Sequence, residues 1–366
     1  MADATDDLIA RIYEAAFVPE MWPQILESLS DLSESFGGAL LATNSSRPPR
    51  WIATDSVAER LHAFASGDAW RHNQRPQRWL AHGPGFWRDI DVFPEMLGAP
   101  ATEPHLRTYG LGWQLGAVMP MPGSDVVVFS MERHGPDGPH SEDNRDGLEP
   151  FRPHLSRAGL LAARLGLERA QTSVVTLEAV GMPAAVLDRG GRVLAANTLL
   201  GAMPGVFLPA AFGRLALTDP EADVLLQEAV AAPLPRAEPG VHSIPVRRRE
   251  GQSPFVIHIL PLLHSARDIF WSAELLVVAT TVSTTAAVPS LPLLRDLFDL
   301  TPAEARLAAA LVAGRPLKDA AADQGIKFST ARSYVERVLQ KTGTRQQSEL
   351  VALLKSAHAF PLSPEP

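Results

Sequence analysis

Apolar residues recur every three or four positions at the start of the chain: Leu8, Ile12, Ala15 and Ala16 in one run, then Trp22, Ile25, Leu26 and Leu29 in the next. That spacing gathers them on one helical face and predicts two helices within residues 4–34. The period then shortens. Residues 37–43 and 50–54 read as strands about the turn-forming Asn44-Ser45-Ser46-Arg47-Pro48-Pro49, and residues 115–121 and 126–131 read as a second pair about Pro122-Gly123-Ser124-Asp125. Together they predict a first α+β domain over residues 1–150.

Helical spacing returns after the Gly/Pro/charge-rich residues 135–144. Leu155, Ala158, Ala162 and Leu165 form a narrow apolar seam on a predicted linker helix within residues 151–172. Such a seam serves either to pair two protomers or to pack on its own domain. A second α+β domain follows over residues 173–283. It has strands at 184–188 and 192–196 around Arg189-Gly190-Gly191, a helix at 220–231, and closing strands at 242–248, 255–261 and 274–282. Residues 284–292, rich in Ser, Thr, Ala and Pro, read as a linker.

The tail, residues 293–360, is helical throughout in its pattern. Thr301-Pro302-Ala303-Glu304 supplies a hydroxyl N-cap, a proline at the first helical position and a carboxylate three residues after the cap. Ala305, Leu307, Ala308, Leu311 and Val312 form that helix's apolar side, and Gly314 suits its end. A short helix over 317–324 stops at Gly325, and another over 329–342 follows. Two short helices across a glycine, the second carrying cations, is the arrangement that presents a helix to a DNA major groove. Ala331, Val335, Val338, Leu339 and Thr342 share the inner side of that second helix. The outer arc carries Thr330, Arg332, Ser333, Tyr334, Glu336, Arg337, Gln340 and Lys341, a mixture of phosphate-binding cations and groups able to read base edges. Glu336 either accepts from a cytosine amino group or lies in solvent beside Arg332. A last helix over 347–359 brings Leu350, Val351, Leu353 and Leu354, apolar surface suited to a dimer face.

Charge sharpens this picture. The chain has a net charge of −8, yet residues 291–360 hold ten Lys/Arg against seven Asp/Glu, a net of +3 that leaves −11 for the remainder. Only the tail therefore favours phosphate; the body repels it. At 46% hydrophobic and 20% charged, the composition is that of an ordinary globular protein. With no cysteine the chain has no disulfide, thiolate ligand or thiol nucleophile, and an acidic start with no long apolar run points to the cytoplasm and away from membranes. The sequence shows no phosphate loop, nucleophile elbow or paired-carboxylate motif, and the acidic and lysine pattern of a phospho-receiver is missing. His62, His72, His82, His105, His242, His258 and His264 lack metal-ligand pairing. The expectation is a non-enzyme with no cofactor and no metal. Trp70, Trp79, Trp87 and Trp113 cluster in the first domain, to fill a core or to wall a pocket.

The run Leu300-Thr301-Pro302-Ala303-Glu304, Gly314, Lys318, Gly325-Ile326, Thr330-Ala331-Arg332-Ser333-Tyr334-Val335, Lys341-Thr342-Gly343 and Glu349-Leu350-Val351 resembles the LuxR-type helix-turn-helix. The resemblance implies that the helix from Thr330 reads the major groove, that Lys318 meets the phosphate backbone, and that the last helix dimerises. It assigns DNA contact to Lys318, Thr330, Arg332, Ser333, Tyr334, Arg337 and Lys341. Lys327 stands where the family has a serine cap, a role that Ser329 is placed to take; Ala320 and Gln324 replace larger aliphatic residues. Residues 187–197 resemble the opening hairpin of a PAS domain. In the first domain, Gly85-Phe86-Trp87-Arg88-Asp89, Arg107-Thr108-Tyr109-Gly110-Leu111-Gly112-Trp113 and Met119-Pro120-Met121-Pro122-Gly123 resemble the autoinducer-binding domain of that family, with a GAF-like fold as the alternative. The family's Asp-Pro pair has no clear counterpart here; Asn73-Gln74 stand near that place. The expected protein is a homodimeric regulator with two α+β sensory domains and an all-α tail, whose partners are double-stranded DNA, a small-molecule ligand and RNA polymerase. The rival expectations are an enzyme or ligand-binding protein that uses the tail for dimerisation or protein contact, and a DNA-binding protein whose two front domains are a constitutive dimerisation scaffold.

Overall fold

The computed structural model describes residues 2–44, 47–96, 104–121, 125–203, 207–209, 213–232, 240–247, 254–262, 269–270, 273–281 and 288–356. Its contacts divide into two compact units: residues 1–171 with 262–274, and residues 172–261 with 275–366.

In the first unit the predicted helices form as α1 (Ala2–Glu14) and α2 (Trp22–Leu32), followed by β1 (Gly37–Asn44), β2 (Arg47–Ala53), α3 (Asp55–Ser66) and α4 (Arg75–Ala81). Then come β3 (Trp87–Arg88), the single turns α5 (Asp89–Val92) and α6 (Pro104–Arg107), β4 (Leu111–Pro120), β5 (Val126–His134) and α7 (Glu142–Leu148). The strands make one antiparallel sheet in the order β2-β1-β5-β4-β3. Both faces are covered, which explains why β1 and β4 read as nearly continuous apolar runs. Leu40, Leu115, Ala117, Phe129 and Met131 point to one side, where Ile12, Trp22, Ile25 and Leu29 of α1 and α2 pack. Ala39, Leu41 and Val128 point to the other, against Val57, Leu61 and Phe64 of α3 and Trp79 of α4. The turn expected over 44–49 is shorter, since Asn44 ends β1 and Arg47, Pro48 and Pro49 open β2; residues 45–46 and 122–124 lie outside the described residues.

The linker helix is longer than its apolar spacing predicts: α8 runs Arg152–Ala179. Leu155, Ala158 and Ala162 of the seam pack within the first unit's own core, with Leu165 half-buried.

The second unit opens with β6 (Ala184–Asp188), β7 (Val193–Ala196), the single turn α9 (Thr198–Gly201), β8 (Phe207–Pro209), β9 (Leu215–Leu217) and α10 (Pro220–Ala231). With β10 (His242–Val246), β11 (Phe255–Pro261) and β12 (Ala273–Thr281) it forms a second five-stranded sheet, ordered β10-β11-β12-β6-β7. Alternate residues Ile257, Ile259, Leu275 and Val277 pack with Leu226 and Val230 of α10. Asn197 ties the hairpin down, accepting from the Ala184 and Leu200 backbone N–H groups (3.0 and 3.1 Å) and donating to the Val174 and Met182 carbonyls (3.1 and 2.8 Å). Arg248, His264 and residues 284–287 of the expected linker lie outside the described residues.

That linker ends earlier than expected, because Ser290 caps an unpredicted helix, α11 (Leu291–Phe298). The remaining helices are α12 (Pro302–Val312), α13 (Leu317–Asp323), α14 (Phe328–Thr342) and α15 (Gln347–Ser356). On α15, Leu350 and Leu354 are buried against Leu294, Leu300, Ala308 and Val338, so half of the apolar surface expected to face a second protomer closes the tail's own core. Residues 357–360 lie outside the described residues. No helix among the described residues is long and apolar enough to cross a membrane.

Candidate nucleic-acid interface and ligand cavity

The capping box at Thr301 forms as its residues predict. The Glu304 N–H donates to the Thr301 hydroxyl (3.4 Å), and the Thr301 N–H donates to Glu304 Oε2 (2.9 Å). Gly314 and Gly325 take φ of +81° and +66°, turns that a side chain would strain. With α13 and α14 so joined, Leu307, Ala320, Ala321 and Ala331 pack at their crossing, and Leu317, Ile326, Tyr334 and Val335 close over them. Small residues on both sides of this contact let the helices approach closely, which makes room for Ala320 in place of a larger aliphatic.

The predicted contact residues do not all share one free face. Lys318, Arg332, Ser333 and Arg337 are exposed, and Lys318 and Arg332 form no ion pair among the described residues. Thr330 and Tyr334 are half-buried, and the Tyr334 ring leans on the α12–α13 packing. Arg337 lies over that ring at 4.8 Å, its Nε donating to the Ser333 carbonyl (3.3 Å) and standing 3.6 Å from Glu304 Oε1. Lys341 turns inward: its ammonium donates to Glu304 Oε2 (2.9 Å) and to the Asp299 carbonyl (2.7 Å). A long aliphatic stem at the edge of the arc reaches back to a carboxylate that is only 1% exposed. Burial opposes the charge on Glu304, but hydrogen bonds from Thr301 and Lys341 outweigh it and hold the carboxyl below the usual range. Asp299 takes φ of +51°, uncommon for a residue with a side chain.

Ser329 does not cap α14. The helix starts one residue earlier than expected, with Lys327 at the cap position and no side-chain cap bond. Phe328, which polarity patterning overlooked, is 51% exposed on its first turn.

The second candidate site is a cavity of about 340 Å³ in the first unit, between the sheet and α3–α4. Trp70 and Trp79 wall it together with Leu41, Phe64, Leu80, Val126 and Val128, so these two tryptophans serve both as core and as pocket wall. Trp79 sits so close over Gly116 that a Cβ there would lie 2.4 Å from its ring. At the polar end Glu132, 0% exposed, accepts from Arg60 (2.5 Å), from Gln114 at both oxygens (2.8 Å each) and from Ser130 (3.1 Å). Burial draws the Arg60 guanidinium below its ordinary value while Glu132 opposes the shift. Behind it Arg75 donates bidentately to Asp89 (3.0 and 3.1 Å), and Asp89 also accepts from the Gln114 N–H (3.1 Å). Of these polar residues only Asp89 stood in a motif quoted from the sequence. Apart from Ser130, two residues from Glu132, their partners lie 14 to 72 residues away, and strand alternation places Ser130 and Glu132 on the cavity side. Among the described residues no group of three or more metal-ligating side chains occurs.

No family model matches the chain, and no curated protein matches it. Among solved structures, the LBD domain of VqsR from Pseudomonas aeruginosa is 14% identical, aligning over 44% of this chain and 97% of its own at a TM-score of 0.34. The Vibrio cholerae VqmA dimer, described as a LuxR-type receptor, is 16% identical over 51% of this chain and 93% of its own, with a TM-score of 0.22. The E. coli DhaR(N)-DhaL complex aligns at 12% identity over 76% of this chain and 88% of its own, with a TM-score of 0.25.

Proposed function

We propose that the protein is a sequence-specific DNA-binding transcriptional regulator, active as a homodimer and controlled by a small molecule held in the first unit's cavity. The observation that carries this reading is the α13–turn–α14 arrangement, which holds Arg332 and Ser333 outward on one helix, with the half-exposed, Glu304-paired Arg337 beside them, on a tail of net charge +3 within an acidic chain. In this reading α14 enters the major groove and Lys318 meets phosphate. Arg332 and Arg337 read guanine edges or phosphates, Ser333 hydrogen-bonds at the same face, and Phe328 offers apolar contact to a thymine methyl. Thr330 and Tyr334 act by shaping the helix's seat, and Lys341 by clamping α14 to α12. RNA polymerase is the further partner such a regulator meets.

The test is selection of duplexes from a random pool by the full-length protein, followed by affinity measurements at two salt concentrations. Arg332→Ala and Arg337→Ala should each weaken the selected site by roughly 1–3 kcal/mol. Lys318→Ala should weaken all sequences alike and lower the salt slope by about 1. Unchanged affinity in all three variants would remove α14 from the interface and favour a tail that contacts protein.

A further inference from the structure

The outward surface of α14 carries a stripe of three different chemistries. Phe328, Arg332 and Glu336 stand four residues apart, so they share one helical face and follow one another at about 6 Å. All three are exposed. Arg332 and Glu336 have opposite charge and lie one turn apart, yet they form no ion pair with each other or with any other described residue. An arginine placed before a carboxylate is the weaker order for such a pair, and both heads stay free. Their neighbours on α14 are engaged. The Ser333 hydroxyl donates to the Ser329 carbonyl (3.3 Å), and Arg337 lies off the stripe, over the Tyr334 ring and 3.6 Å from Glu304.

A carboxylate on a phosphate-facing surface lowers affinity for every sequence, so what it contributes there is discrimination. Guanine and thymine turn acceptors towards the major groove, and adenine sets its N7 acceptor beside its amino group; cytosine alone among the bases offers a donor with no acceptor of its own beside it. Glu336 therefore fits a cytosine amino group. Arg332 fits the N7 and O6 acceptors of guanine, and the Phe328 ring, 51% exposed, loses water on covering a thymine methyl.

We propose that α14 reads three neighbouring base pairs in chain order: a thymine methyl under Phe328, a guanine edge at Arg332 and a cytosine amino group at Glu336. This rests on the reading of α14 as the recognition helix, and it adds the class of sequence that the helix takes. That class is a T·A pair followed by two G·C pairs, the middle one presenting its guanine and the last its cytosine. Glu336 is the residue that rejects other bases at the third position.

Selection of duplexes from a random pool by the full-length chain, run beside the same selection by Glu336→Gln, tests the third position. The unaltered chain should enrich a T·A pair followed by two G·C pairs. The variant should exchange the last for an A·T pair, because a glutamine amide bonds adenine at N6 and N7, and it should bind unrelated duplex more tightly, because a repulsion is gone. Base analogues in the selected duplex probe the other positions without altering the protein. Uracil in place of thymine should weaken binding about fourfold, the worth of one buried methyl, and 7-deazaguanine in place of guanine about tenfold. Phe328→Ala should then bind the thymine and uracil duplexes equally, and Arg332→Ala the guanine and 7-deazaguanine ones. An unchanged base preference in Glu336→Gln overturns the cytosine assignment. Equal affinity of the unaltered chain for thymine and uracil duplexes overturns the methyl assignment, and either result leaves α14 as the DNA-binding helix. If the pool yields no enriched sequence, the three-base assignment and the regulator reading fall together.

Discussion

Two buried carboxylates, one in each unit, are satisfied in different ways. Glu304 closes its own helix's capping box and then takes the ammonium of Lys341, 37 residues on, so that one side chain joins the start of α12 to the last turn of α14. Its surroundings are structural, with every contact ending in protein. Glu132 collects Arg60, Gln114 and Ser130 from α3, β4 and β5, and this cluster forms the wall of a cavity. A buried ion pair is rarely the cheapest way to fill a core. Glu304 braces helices with its capping box, Lys341 and the nearby Arg337; Glu132 fixes the Arg60 guanidinium at the cavity wall.

The largest break in that comparison is Glu132→Ala, which strands the Arg60 guanidinium in the core. It should cost about 3–5 kcal/mol in urea unfolding, and the double change Arg60→Met with Glu132→Leu should recover much of it. Glu304→Ala is next, at about 1–3 kcal/mol, since the partly exposed Lys341 regains water once released. Lys341→Met should lower tail stability by about 1 kcal/mol and leave the salt slope of DNA binding unchanged, whereas Lys318→Ala should do the reverse. A lost salt slope in the Lys341 variant would return that residue to the interface.

The last expected effect is one of pH. Burial, with Arg133 and Arg88 nearby, holds His140 neutral down to about 3. The unfolded imidazole binds its proton near the ordinary value of 6.5, so stability is full above that pH and declines as pH falls from about 6.5 towards 3. Glu304 adds a second loss as pH falls through and below the ordinary carboxylate range, because its carboxyl takes a proton at lower pH in the folded chain than in the unfolded one. His140→Asn should flatten the first limb of thermal stability against pH, and Glu304→Gln the second.

The tail was the most legible region. Thr301, Pro302, Glu304, Gly314 and Gly325 each act within a few residues of themselves, and the helices they bound form where expected. Short apolar runs between turn residues likewise marked every strand of the two five-stranded sheets except β3. The inward turn of Lys341 was not legible, since a helical wheel shows where a stem leaves the helix and not where a flexible head ends. Nor was α11, whose cap and apolar face lie inside a Ser/Thr/Pro-rich stretch that reads as linker.

Sequence by itself determined the elements: periods of two and about three and a half residues, caps, turn glycines and the charge contrast between tail and body are all local or additive quantities. Tertiary structure alone decided which polar residues became a site. Arg60, Gln114 and Glu132 carry no pattern along the chain, and their meaning comes from a sheet whose order β2-β1-β5-β4-β3 brings distant side chains to one buried surface, where desolvation makes every polar pairing count.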